Sequence, residues 1–249
     1  MDVVDARMEM PIIFALELAV LYLAGSYAMG RLAGLLGFRS SGAGLGRVAF
    51  YLLIFPGVTL HEAAHYLACL LTGTRVLRFV PFWPQRSARG RLLLGYVLHE
   101  RRPFPVKAVI GLAPILLNPL GILLATALLT PLTLAEVTDP QFEVIKAGIL
   151  TSGFLTGSPL VAATWIYLSL SFALGSVPSR EDLSSVPAAL LFFGGGVLLV
   201  SFLGGGSQST LTGALHDISA LAVRVYSLPA TVAGAAAVTI GVWDRTSRY

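Results

Sequence analysis

His61-Glu62-Ala63-Ala64-His65 is the stretch of this sequence best equipped for chemistry. In a helix, residues four apart fall one turn apart on one face. Two imidazoles so placed can grip one divalent ion, while Glu62 stands close enough to act on a bound water. A zinc ion held this way keeps an open position and lowers the pKa of that water to about 7. The alternative is a chance pattern on an exposed helix, and the flanks argue against it. Phe50-Tyr51-Leu52-Leu53-Ile54-Phe55 precedes the motif and Tyr66-Leu67-Ala68-Cys69-Leu70-Leu71 follows it. Ionisable groups in such a run are costly in lipid and mark a site. Cys69, one further turn along the same face, either approaches the metal or packs as a small apolar residue, the usual fate of a buried free cysteine.

The surroundings of the motif must hold it in a membrane. Of 249 residues, 55% are hydrophobic and 12% charged, half the charge of a typical soluble domain at about 25%. One cysteine rules out an internal disulfide framework and a cysteine-based zinc site. The net charge of +4 fits basic cytoplasmic loops, and nothing in the chain points to nucleic acid.

The fold expected is an all-α polytopic membrane protein, one integral domain over 1–249, with about six transmembrane helices and a small β-hairpin after the second. Span one is Pro11–Met29, retained because the residues before it (Asp2, Asp5, Arg7, Glu9) have the wrong charge for a signal peptide. Glu17 within it either reaches the interface or supports the metal site from behind its ligands. Span two is Val48–Leu71, interrupted by Pro56-Gly57. The hairpin has arms Thr74–Trp83 and Arg91–His99 around the turn-forming Pro84–Gly90. Span three is Val106–Leu129, carrying Asn118 between two prolines, either a kinked packing helix or one lining a site. After an amphipathic approach over Phe142–Ser152 come span four (Gly157–Gly175) and span five (Val186–Leu203). An interfacial helix through Leu211, Leu215, Ile218, Ala222 and Val225 leads to span six, Tyr226–Val242. An even number of spans puts both termini on one side, with 12 of the 17 Lys and Arg residues. That side, with the hairpin, is then cytoplasmic.

A catalytic zinc needs a third protein ligand. On this topology Glu136, Asp139, His216 and Asp217 lie on the wrong side. His99 and Glu100 are on the correct side but follow the hairpin. Asp182, with Glu181 beside it, follows the inner end of span four and is the residue of choice, although either carboxylate can serve. Ser179 three residues earlier also makes Asp182 a candidate for a helix cap, a role compatible with ligation.

Taken together, the helical His-Glu-Ala-Ala-His, the hairpin, a helix bearing Gly111, Pro114 and Asn118, and a later aspartate resemble the intramembrane site-2 protease family of zinc metalloproteases. The likeness covers about residues 48–183, leaving helices over 11–30 and 186–243 as additions. The resemblance implies Zn2+ bound by His61, His65 and Asp182, with Glu62 as general base. It implies a substrate presented by the hairpin and the third span, here through Val80, Tyr96 and Asn118. Pro178-Ser179-Arg180-Glu181-Asp182-Leu183 departs from the family's usual Asn-Pro-Asp-Gly or Leu-Asp-Gly setting. The partners implied are the lipid bilayer and a membrane protein substrate, and the place a prokaryotic cell membrane with the site toward the cytoplasm. Oligomeric state stays open. Proteases of prenylated proteins carry the same motif, but no Glu-x-x-x-Asp follows His65 to supply their third ligand. A metal-binding transporter or inactive scaffold is the non-enzyme alternative.

Overall fold

The computed structural model describes residues 3–38, 44–86, 92–132, 158–184 and 208–246. Its long helices are α1 (Val3–Ala33), α2 (Gly44–Leu71), α3 (Val106–Leu129) and α6 (Gln208–Thr246), with the shorter α4 (Pro159–Gly175) and a single turn, α5 (Arg180–Leu183). A π-helical stretch, Gly34–Phe38, continues α1. Four helices are long and apolar enough to cross a bilayer, which marks the chain as a membrane protein. Among the described residues four such helices are found, where six spans were expected. α4 has 17 residues, about 26 Å at 1.5 Å per residue, the lower limit for crossing. The expected span over Val186–Leu203 and the approach over Phe142–Ser152 lie outside the described residues. The expected interfacial helix and sixth span are one continuous helix, α6, which runs through Pro229.

Prolines explain much of how these helices meet. A proline has no N–H for the carbonyl four residues back, and that acceptor must be satisfied elsewhere in lipid. Pro56 orphans Leu52, whose carbonyl takes the Tyr167 hydroxyl of α4 at 2.7 Å. The next N–H, of Gly57, bonds Ser171 Oγ of α4 at 2.9 Å. Pro119 orphans Ile115, whose carbonyl takes the Tyr226 hydroxyl of α6 at 2.8 Å. Glycines bring α2 and α4 into backbone contact: a Cβ on Gly57 would lie 1.9 Å from Ser171 O, and one on Gly175 would lie 2.5 Å from Gly57 O.

The contacts also set directions. His65 meets Ile110 and Leu60 meets Gly121, so α3 runs antiparallel to α2. Leu52 meets Tyr167 and His61 meets Gly175, so α4 runs parallel to α2. Phe14 meets Tyr226 edge to face, Glu17 meets Ser227 and Arg31 pairs with Asp244 at 3.0 Å, so α1 and α6 run parallel. The start of α1 and the end of α6 therefore lie at opposite ends of the pair. The even-span expectation had put both termini on one side.

Between α2 and α3 the hairpin forms as two short ladders. β1 (Val76–Val80) pairs antiparallel with β4 (Tyr96–His99), Val80 opposite Tyr96, with an irregularity between Val76 and Arg78. β2 (Gln85–Arg86) pairs with β3 (Leu92–Leu93). Most of the expected turn, 87–91, lies outside the described residues. Buried Leu21, Ile122, Leu123, Ala173 and Tyr226 form one core between α1, α3, α4 and α6. A smaller cluster of Ala68, Cys69 and Ile110 sits under the hairpin.

Candidate metal centre

His61 and His65 project from α2 toward the ends of α3 and α4. His61 Nδ1 lies 2.8 Å from the carbonyl of Gly175, and His65 Nδ1 lies 2.8 Å from that of Ile110. A carbonyl only accepts, so both Nδ1 atoms carry the hydrogen and both Nε2 atoms present lone pairs. These Nε2 atoms are 3.2 Å apart. Asp182 faces them, Oδ1 at 3.3 Å from His65 Nε2 and Oδ2 at 3.5 Å from His61 Nε2. Three acceptors thus converge on one point, which is unfavourable without a cation between them.

The donor set fits zinc. Ligand bonds of about 2.0–2.1 Å at tetrahedral angles put neighbouring donor atoms about 3.3 Å apart; here the two Nε2 atoms are 3.2 Å apart, each within 3.5 Å of one Asp182 oxygen. No other group of three or more His, Cys, Asp or Glu residues among the described residues is so arranged. Cys69 is outside the group and fully buried against Ala68 and Ile110, so it is a packing residue. Of the two candidate carboxylates, Asp182 is brought to the histidines, while Glu181 is exposed at the cavity rim.

Both readings of Asp182 hold at once. The Ser179 N–H donates to Asp182 Oδ2 at 2.7 Å and the Asp182 N–H donates to Ser179 Oγ at 3.1 Å, a reciprocal capping box on α5. Burial opposes the charge of Asp182, but once the imidazoles are protonated, hydrogen bonds from and charge on His61 and His65 hold its carboxyl well below the usual carboxylate range.

One face of α3 serves His61, His65 and Asp182 alike. A Cβ on Gly111 would lie 3.3 Å from the Asp182 carbonyl, so the missing side chain lets α5 dock. Pro114 has no N–H for Ile110, whose carbonyl is thereby released to His65. Asn118 Nδ2 donates to the Gly175 carbonyl at 3.2 Å, the acceptor that also holds His61. Gly175 O is free for this because Pro178 ends α4 and the Ser179 N–H is committed to Asp182. Such partners fix ring orientation and commonly tune metal affinity by 10–100-fold.

Asn118 is fully buried and does not line the cavity, so it lies behind the site instead of touching a substrate. Val80 also stays off the cavity, while Tyr96 lines it. Glu17 is far from supporting the ligands: it lies between α1 and α6, accepting from Ser227 Oγ at 2.5 Å.

Glu62 is buried and shares a cavity of about 660 Å³ with the three ligands. The hairpin closes directly over it: a Cβ on Gly95 would lie 2.7 Å from Glu62 Cγ. His99, set aside as a ligand from sequence, also lines this cavity, with Nδ1 donating to the Glu100 carbonyl at 2.7 Å. Arg101, Arg102 and Lys107 line it too, and no motif had singled them out. Family models, curated proteins and solved structures were compared with the chain, and none matches.

Proposed function

We propose that this chain is a membrane-embedded zinc metalloprotease that hydrolyses peptide bonds of membrane protein substrates. The observation that carries the reading is the convergence of two imidazole lone pairs and a carboxylate at tetrahedral spacing, beside Glu62, in a cavity bordered by a strand. His61, His65 and Asp182 would hold the ion. Bound zinc supplies Lewis-acid polarisation of a carbonyl and acidifies a coordinated water.

The remaining steps belong to the protein. Glu62 accepts a proton as water oxygen bonds to the peptide carbonyl carbon, and returns it to the amine as the C–N bond breaks. Gly95 leaves room for the Glu62 side chain beneath the hairpin while the strand limits bulk solvent. β4 borders the cavity and β1, its partner on one edge, does not, which leaves a strand edge for an extended substrate. Strand pairing satisfies the backbone groups that a substrate helix releases when it unwinds.

The test is Glu62→Gln in the purified chain, with zinc measured by metal analysis and cleavage on a model transmembrane substrate. Zinc should stay near one per chain while hydrolysis drops by about a hundredfold to ten-thousandfold. Hydrolysis at the parent rate would reject the reading.

A further inference from the structure

We infer that the cavity selects substrates carrying an acidic side chain close to the scissile bond, an inference that rests on the protease reading above. Three cations, Arg101, Arg102 and Lys107, line the same cavity as three carboxylates, Glu62, Glu181 and Asp182. With Arg102 paired to Glu100, a divalent ion on the triad leaves the cavity net positive by one charge, and low-dielectric walls focus such a field.

The three cations are not equivalent. Arg102 is committed: its Nε lies 3.3 Å from Glu100 Oε1 and 3.1 Å from Thr74 Oγ1, and it donates to the Gly73 carbonyl at 2.6 Å. Lys107 reaches only a neutral hydroxyl, Ser184 Oγ at 3.2 Å. Arg101 is exposed and has no hydrogen-bond or carboxylate partner among the described residues. Two cations thus face the reaction cavity with no carboxylate of their own. They bracket the turn that opens α3, whose positive end adds to the same field.

Surface lysines and arginines beside a membrane commonly bind lipid phosphate. Here the cavity wall favours a polypeptide. Tyr96 and Val97 of β4 form it, and an open strand edge recognises extended backbone, not a headgroup. A substrate residue of Glu or Asp placed toward α3 then meets Arg101 and Lys107 as its backbone lies along β4. Arg is suited to this by its bidentate fork.

Binding, measured apart from cleavage, tests this. The zinc-loaded Glu62→Gln chain in uncharged detergent is titrated with two fluorescent transmembrane peptides, identical except for Glu-Glu or Gln-Gln at the inner end of the apolar segment. The acidic peptide should bind roughly fivefold to tenfold tighter, as two partly exposed ion pairs provide, and added salt should shrink the difference. Arg101→Gln with Lys107→Gln should remove the preference. Arg101→Glu with Lys107→Glu should transfer it to a Lys-Lys peptide, a gain that a misfolded chain cannot give. An acidic preference that survives both double variants, or equal binding of the two peptides to the parent, overturns the inference. So does a preference that appears only when anionic lipid is present. If the peptides bind as described but the Glu62 chain cleaves none of them, the protease reading fails and the binding inference stands.

Discussion

Each imidazole of the triad is held through Nδ1 by a carbonyl that lacks a helical partner of its own. This makes the geometry of His61 and His65 sensitive to residues that never touch the ion. Asn118→Ala should weaken zinc binding by about 10–100-fold in a chelator competition, the usual effect of losing such a support. Asp182→Ala, which removes a ligand outright, should cost more than that in the same assay. Acid should release the ion through the imidazoles. A ligand imidazole must be unprotonated, so protons compete with the ion for both rings. In acid the logarithm of zinc affinity should fall with a slope approaching two per pH unit. Asp182 adds nothing to this limb, because its folded carboxyl titrates below its unfolded value of about 3.9. Its contribution is complete above that value and is lost only as pH falls through the depressed one. A slope near one would mean that a single histidine binds.

Among the helices, the contacts that matter most are those that a side chain would break. Gly175→Ala places a Cβ 2.5 Å from Gly57 O, so α2 and α4 must separate. Separation moves the Gly175 carbonyl off His61 as well. Stability should fall by about 1–3 kcal/mol, and zinc affinity with it, measured together in reversible unfolding and chelator titrations. Tyr226→Phe offers the contrast. It leaves the Ile115 carbonyl without its hydroxyl and should cost about 0.6–1.7 kcal/mol, with zinc affinity unchanged, because α6 supplies no ligand. These elements differ in how visible they were beforehand. His61, Glu62 and His65 were legible because helical spacing alone puts them on one face, and Asp182 because few acids stand near the inner ends of the spans. Asn118 and Glu17 kept two readings each because a polar residue in an apolar helix announces that it needs a partner and says nothing of which helix provides it. Asn118 turned out to face α4, and Glu17 to face α6.

The arrangement of the bundle was the least legible of all. Reading apolar runs took the end of the chain as two elements, because Leu211, Leu215, Ile218, Ala222 and Val225 recur at amphipathic spacing ahead of the apolar run from Tyr226; α6 carries both without a break. The direction of α6 beside α1 depends on how the chain crosses between them, which hydropathy does not report. It has a measurable outcome: a tag placed before α1 and one placed after α6 should be reached by a membrane-impermeant reagent from opposite faces of sealed vesicles. Labelling of both from one face would contradict the parallel pair. That pair also bears on assembly. α1 leaves the ribosome some two hundred residues before α6, so it must wait in lipid for the neighbour that shields its carboxylate, Glu17. Chains halted before α6 should therefore be poor survivors of membrane quality control even though His61, His65 and Asp182 have already been made.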